Sequence, residues 1–359
     1  LFLCQFNLRK VSRHILKPAG ATYTTEDSDF VSSDFVDFHP TDVLADADGS
    51  LLVIDTGGWY KLCCPTSQLW KPDVLGGIYR VRRTGGTPTP DARGRQINWN
   101  NRSAQQLWND LADVRPALRQ RATRELVRRR NSDEVTKLLD GLATNSSTGT
   151  TASLNGNNVA AGDSPAAAIS RAWALVQLNT KPGQQLLRQS LDSDVEELRH
   201  IALYAASLNR DATATADVVH PLQSDTPANR RIAAEALGRI GDRSVVPQLL
   251  AAASSVDDRL LQHSIIYALI ELGDADATRK GLVATEPKTI AAALIALDQM
   301  PGGHLQPKDV ISQVDAADST LHDAALWVVR QHPDWGIELT GWLRTQLRSL
   351  PVESDRAAA

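Results

Sequence analysis

The sequence predicts a multidomain β + α protein, in which the last blades of a β-propeller are followed by an α-solenoid. Two observations support this prediction. Over residues 1–83, short apolar runs alternate with turn signals, which is typical of antiparallel strands. From residue 100 onward, apolar residues recur with a helical period, in units of about thirty residues. We therefore expect propeller blades over 1–83, a linker over 84–99, a solenoid over 100–350 and a tail over 351–359.

The first strands are read from local patterns. The runs LFLCQF (1–6) and KVSRHIL (10–16) predict a hairpin, and the acidic, Ser-rich stretch 25–37 predicts a loop. Asp48-Gly49 separates TDVLAD from LLVIDT, and Asp-Gly between two alternating apolar runs is the strongest short-range hairpin signal. GIYRVRR (77–83) then predicts a third antiparallel strand. Propellers need roughly four to eight four-stranded blades, so we expect sequence before Leu1 to supply the other blades.

The helical part shows an internal repeat. Seven units share a mostly basic or polar residue, a small apolar residue three positions later and an apolar residue four positions after that. The middle positions of the units are Ala122, Ala174, Ala202, Ala233, Ile265, Ala291 and Ala324. Their separations are 52, 28, 31, 32, 26 and 33 residues. A two-helix repeat of this size predicts an α-solenoid of HEAT- or armadillo-like repeats, whose neighbouring units bury each other's apolar faces. The long first separation is explained by residues 145–164, whose Asn, Ser, Thr and Gly predict a flexible insertion.

Composition excludes several classes of protein. The 359 residues are 42% hydrophobic and 22% charged, which is ordinary for a globular protein of more than one domain. A formal net charge of −4 gives no net attraction to nucleic acid. No apolar run approaches the ~18–20 residues that span a bilayer, so no transmembrane segment is predicted. No signal-peptide pattern is visible after Leu1, and three cysteines are too few for a disulfide framework.

Three polar residues are candidates for catalysis. His39 and Asp42 flank the start of one predicted strand, and Asp55 ends the next. Antiparallel pairing places the start of one strand and the end of its neighbour at the same edge, so the three should lie on one face. Each also has a structural interpretation: His39 could cap the strand entry, and Asp55 could form an Asx turn that ends the strand.

The segment 56–76 is longer than a hairpin requires and carries candidates for a substrate face. Trp59, Tyr60 and Trp70 could line a sugar site or anchor the segment to its own sheet. The adjacent pair Cys63-Cys64 could form a vicinal disulfide, pair with Cys4, bind a metal with partners elsewhere, or remain two thiols. No residues in the chain have the spacing of a paired-ligand metal site.

One stretch carries a resemblance to a known family. HPTDVLADADGSLLVIDTGGWY (39–60), then CCPTSQL and KPDVLGGIYRVRR, resembles the large membrane-bound dehydrogenases of planctomycete-type bacteria. That resemblance implies a quinoprotein sugar-dehydrogenase-like propeller, HEAT-type repeats and a cytochrome c-like domain. It further implies that this chain is a fragment of a periplasmic or cell-surface oxidoreductase. Pyrroloquinoline quinone would then oxidise a sugar-like alcohol, and the solenoid would space or dock a c-type haem domain, whose C-x-x-C-H motif is not in these residues.

A second interpretation comes from a different class of function. The chain would be a non-catalytic scaffold, in which the propeller and the HEAT-like repeats bind protein partners. The sequence contains no P-loop, no G-x-G-x-x-G and no G-x-S-x-G, so no other enzyme class is indicated by a motif.

Overall fold

The computed structural model describes residues 1–58, 71, 73–87, 89–147 and 164–349. It divides into two units, Leu1–Leu198 and Arg199–Ala359. The first unit contains the β-sheets and the first helices, and the described part of the second is helical.

The strands of the first unit are short and pair locally. They are β1 Phe2–Gln5, β2 Lys10–Ala19, β3 Thr22–Ser32, β4 Pro40–Ala45, β5 Leu51–Asp55 and β6 Gly77–Val81. In the described part of the chain they form two antiparallel three-stranded sheets, ordered β1-β2-β3 and β4-β5-β6. The turn between β4 and β5 contains Gly49 with a φ of 82°, which glycine adopts at little cost. The three antiparallel strands predicted within 41–83 are therefore confirmed.

The two sheets share one small core. Val11 of β2, Phe38 before β4 and Val53 of β5 are buried against one another. Beyond Ser12, β2 and β3 continue as a long ribbon whose residues are mostly exposed on both faces. Apolar burial is the main favourable contribution to folding, so this small core holds the sheets and leaves the ribbon largely solvated.

The prediction of β-propeller blades is wrong. The described residues form two three-stranded sheets around one small core, and they contain no closed ring of blades. Hairpin signals such as Asp48-Gly49 specify which strands pair locally, but not how many strands a sheet has or whether sheets close into a ring. The predicted loop at 25–37 is wrong over its first part, because Thr22–Ser32 is strand β3.

The helices follow in pairs, which confirms the predicted helical-repeat architecture. A single helix, α1 Ala104–Asp110, precedes the pairs. The first helices of the pairs are α2 Pro116–Arg128, α4 Pro165–Leu178, α6 Glu196–Asn209, α8 Pro227–Ile240, α10 Arg259–Leu272, α12 Pro287–Gln299 and α14 Ser319–Gln331. The second helices are α3 Asp133–Ser147, α5 Lys181–Gln189, α7 Thr215–Ser224, α9 Val246–Ala253, α11 Ala275–Arg279, α13 Pro307–Ile311 and α15 Gly336–Ser349. Helix α3 continues into the first residues of the predicted insertion at 145–164, most of which lies outside the described residues.

The ends of the first helices are set by local chemistry. Proline occupies the first turn of α2, α4, α8 and α12, where its missing N–H would have no helical partner. Thr226 and Asp258 accept hydrogen bonds from backbone N–H groups at the N-termini of α8 and α10. Gly241 and Gly273 end the same two helices in the left-handed conformation, with φ of 86° and 60°. Within the described residues, no helix is both long and apolar enough to cross a membrane.

Candidate functional site

The residues His39 and Asp55 meet at the edge of the second sheet. The backbone N–H of His39 donates to Asp55 Oδ1 at 2.9 Å, and the N–H of Gly57 donates to the same oxygen at 2.9 Å. The ring Nδ1 of His39 lies 2.8 Å from the Gly57 carbonyl oxygen, and the ring stacks on Phe6 with centroids 4.4 Å apart. The buried Asp55 thus forms an Asx turn, and these contacts fasten the strand end. A catalytic role for the two residues remains a prediction.

Of the other predicted site residues, the structure describes Asp42 alone. The Asp42 carboxylate is exposed and accepts a hydrogen bond from the N–H of Val43 at 2.8 Å. The predicted substrate-face residues lie outside the described residues: Trp59, Tyr60, Cys63, Cys64 and Trp70. Among the residues that the structure does describe, no cluster of His, Cys, Asp or Glu could hold a metal ion.

A recurring position on the first helices, exposed in five of them and half-buried in α8 and α12, is the strongest candidate for a binding surface in each unit. In each helix it is flanked on both sides by mostly buried residues, so it points away from the apolar face. We call it the outward position, and it is occupied by Arg124, Trp173, Tyr204, Glu235, Tyr267, Ile295 and Trp327. From Trp173 onward the separations are 31, 31, 32, 28 and 32 residues, which is the period of the repeat. Trp173, Tyr204, Tyr267 and Trp327 are 41%, 40%, 51% and 38% exposed.

In the first unit, the outward residues of α2 and α4 border a groove of about 410 Å³, the α2–α4 groove. It is lined by Arg119 and Arg124 of α2, by Trp173 of α4, and otherwise by uncharged residues of both helices. The Nη1 of Arg119 donates to the carbonyl oxygens of Asp113 at 2.7 Å and Val114 at 3.2 Å. Arg124 has no hydrogen-bond or ion-pair partner among the described residues. The groove is therefore positively charged.

Carboxylates near α2 are already engaged by other arginines. Arg115 binds Asp113 through two nitrogens at 2.9 and 2.8 Å, and this hydrogen bonding holds the pKa of Asp113 below its usual range. Arg128 binds Glu125 Oε2 at 3.0 and 2.9 Å. Burial would raise the pKa of Glu125, but the Arg128 hydrogen bonds and nearby arginine charges outweigh burial and lower it. Neither carboxylate lines the groove.

In the second unit, α8 and α10 border a groove of about 460 Å³, the α8–α10 groove. Two arginines, Arg210 and Arg239, and two carboxylates, Glu235 and Glu271, line it together with Tyr267. Ser264 Oγ donates to Glu235 Oε1 at 3.1 Å, which ties the two helices together. The opposite charges balance, so this groove has no net charge.

The two helices of the α8–α10 groove also approach closely. A Cβ atom on Gly238 would lie 2.9 Å from the Ala268 Cα atom and 3.1 Å from its Cβ atom. Only a residue without a side chain fits there unless the helices move apart.

Two of the basic residues that open repeats, Arg199 and Arg230, bind groups inside the helical frame. Arg199 binds Asp225 through two nitrogens, both at 2.7 Å, and Arg230 Nε donates to the Leu222 carbonyl oxygen at 3.0 Å. Asp225 also accepts from Asn229 Nδ2 at 3.1 Å. Burial opposes ionisation of Asp225, but these hydrogen bonds outweigh it and lower the pKa of the carboxyl group. These two basic positions therefore stabilise the helical frame.

Sequence reasoning missed the outward position because it followed the buried face. The predicted alignment used Ala174 as the small residue of α4 and gave a separation of 28 residues to the next unit. By that alignment the outward residue of α4 would be Val176, which is buried, whereas the structure places Trp173 there. A search for aromatic residues 31 positions apart would have found Trp173 and Tyr204, and Tyr267 follows Tyr204 by 63 residues, which is two repeats.

Comparisons with known proteins support the helical repeat. The family model for HEAT repeats matches residues 215–298, so this segment is similar to HEAT repeats. Among solved structures, the chain is similar to the complex of CpcE and CpcF of phycocyanin lyase from Nostoc sp. PCC7120, with 16% identity and a TM-score of 0.36. That match covers 72% of this chain and 97% of the other. No curated protein sequence matches this chain.

A second solved structure is human deoxyhypusine hydroxylase in complex with glycerol, with 16% identity and a TM-score of 0.26. It covers 54% of this chain and 95% of the other. Both TM-scores are low, so neither likeness supports an argument about function. None of these comparisons supports the predicted resemblance to dehydrogenases.

Proposed function

We propose that this chain is a protein-binding scaffold, whose paired-helix repeats present the outward position to partner proteins. One observation carries the proposal: four of the seven outward residues are Trp or Tyr. The whole chain has only 8 Trp and 5 Tyr among 359 residues, so chance would rarely place four of them at seven positions. Exposed aromatic side chains are enriched at the centres of protein interfaces, where they contribute a large share of the binding energy.

The architecture favours the same function. HEAT repeats, to which residues 215–298 are similar, present extended surfaces because each unit contacts only its neighbours. The alternative function, a quinone-dependent dehydrogenase, depended on a predicted β-propeller. The described residues do not form one.

The test compares capture of partners by the full chain and by a variant of its outward position. The tagged chain is cross-linked in lysate of its source cells, and captured proteins are quantified by mass spectrometry. Trp173→Ser with Tyr267→Ser should deplete at least one protein by about tenfold or more, since interface Trp and Tyr residues often contribute ~2 kcal/mol.

The control removes two apolar side chains elsewhere that are more exposed than Trp173 and Tyr267. Val283 and Ile337 are each 86% exposed and neither is an outward residue. Val283→Ser with Ile337→Ser should leave the captured set unchanged. Capture of the same proteins, in the same amounts, by the native chain and the Trp173/Tyr267 variant would refute the proposal.

A further inference from the structure

We propose that the α2–α4 groove recognises an acidic peptide segment of a partner protein, an inference that rests on the scaffold function proposed above. The segment would carry carboxylates for Arg119 and Arg124 and an apolar side chain for Trp173.

The charge of the groove is of one sign. Two guanidinium groups line it, and its other lining residues are Trp173 and uncharged polar or proline residues. Guanidinium groups bind carboxylates through paired, charge-assisted hydrogen bonds, which are about twice as strong as neutral ones. A carboxylate is therefore the ligand group that this groove would bind most favourably.

The donors of these arginines are available. Within the described part of the chain, Arg124 contacts no acceptor. The hydrogen bonds of Arg119 run from one nitrogen, Nη1, to two neutral carbonyl oxygens, and its charge also interacts with the Asp113 carboxylate. Asp113 itself already receives three hydrogen bonds from Arg115 at 2.8–2.9 Å.

An aromatic side chain forms the opposite wall. Trp173 lies on α4, lines the groove and is 41% exposed. An indole ring that keeps this much surface in water gains free energy when an apolar side chain covers it. A peptide that places a large apolar residue among acidic ones would engage both features.

A peptide fits better than a nucleic acid. The chain has a net charge of −4, and three other arginines of this region are bound to Glu125. The groove thus offers two available guanidinium groups, whereas nucleic-acid binding rests on contacts to many phosphates. A short peptide segment is long enough to contact two guanidinium groups and one aromatic ring.

The test uses fluorescence anisotropy with the full chain. The probe is a fluorescein-labelled peptide in which Glu-Asp pairs flank Leu-Phe, with a neutral copy that has Gln and Asn in place of Glu and Asp. We expect the acidic peptide to bind at least about tenfold more tightly, since its carboxylates, unlike the neutral amides, form charge-assisted hydrogen bonds with guanidinium groups. Arg124→Gln should weaken binding about tenfold, and added salt should weaken it further.

A matched double variant controls for overall charge. Arg119→Gln with Arg124→Gln should abolish the preference for the acidic peptide. Arg210→Gln with Arg239→Gln removes the same charge from the α8–α10 groove and should leave binding unchanged. Circular dichroism of all variants checks that the fold is retained, and Arg124→Gln alone leaves the Arg119 contacts intact.

Several outcomes would overturn the inference. They are equal affinity for the acidic and neutral peptides, an equal loss of acidic-peptide affinity in the two double variants, and no binding of the acidic peptide by the native chain. Tighter binding of single-stranded oligo-dT, lost in Arg124→Gln, would replace the peptide by a nucleic acid. If partner capture still depends on Trp173 while the acidic peptide fails to bind, the scaffold function stands and only this inference fails.

Discussion

The α2–α4 and α8–α10 grooves are built on the same helical frame but differ in charge and in helix spacing. In both, the outward residue lies between mostly buried neighbours, and the buried position two residues later is a leucine, Leu126 or Leu237. The first groove has two arginines and no lining carboxylate, whereas the second balances two arginines with two glutamates. The repeat therefore fixes the position of a groove, and the exposed residues determine what it can bind.

The buried leucines give the largest expected effect and test whether the frames are equivalent. Leu126→Ala and Leu237→Ala should each lower the free energy of unfolding by about 3 kcal/mol, because each leaves a cavity in a fully packed core. Leu126 is 1% exposed and Leu237 is 0% exposed. Urea unfolding followed by circular dichroism measures both.

The exposed leucine Leu208, 45% exposed on α6, is the control, and Leu208→Ala should cost well under about 1 kcal/mol. If the substitution of one buried leucine lowers the free energy of unfolding as little as Leu208→Ala does, the helices that border the two grooves are not packed equivalently.

Helix spacing gives the second effect and distinguishes the grooves. Gly238→Ala should destabilise the chain by about 2 kcal/mol, because the new methyl group would lie 2.9 Å from the Ala268 Cα atom and would push α8 from α10. Gly141 of α3 is the matched control, since a Cβ atom there meets nothing within 4 Å.

Gly141→Ala should stabilise the chain by up to about 1 kcal/mol, through the higher helix propensity of alanine. Thermal unfolding compares the two substitutions. Stabilisation by Gly238→Ala would show that close helix approach is not a property of the α8–α10 groove.

The parts of the fold that were predictable depend on local or periodic signals. Asp48-Gly49 predicted the β4–β5 hairpin, because adjacent residues in the sequence encode the turn that joins two paired strands. The spacing of small apolar residues predicted the repeat, since helices that pack in series need small residues at matching positions. Strand β3 escaped prediction because its residues are mostly polar and exposed, so no alternation marks a buried face.

The candidate surface was harder to predict than the core. Burial imposes a pattern on sequence, whereas an exposed position such as that of Trp173 is constrained only by what binds there. The predicted site at His39 and Asp55 did correspond to a spatial cluster, since antiparallel pairing brings both residues to one edge. The propeller prediction failed because sheet closure depends on long-range packing that hairpin signals do not specify.

Glu125 gives the smallest expected effect and a pH-dependent distinction between the grooves. It is a buried carboxylate on α2, next to the outward Arg124, where the matching residue of α8 is the apolar Ala236. Glu125→Gln should lower the free energy of unfolding by about 1 kcal/mol at pH 7, since it weakens the contacts with Arg128 at the surface.

The sign of the pH dependence follows from the lowered pKa of Glu125 in the folded chain. Its stabilising contribution is fully present above the pKa of an unfolded glutamate, about 4.3, and is lost as the pH falls through the folded value. The native chain should therefore exceed Glu125→Gln in stability at pH 7, and the difference should shrink below about pH 4. Urea unfolding at several pH values measures this, with Glu271→Gln of the α8–α10 groove as the exposed control. A difference that stays constant down to pH 3 would mean that the arginines around Glu125 do not hold it ionised.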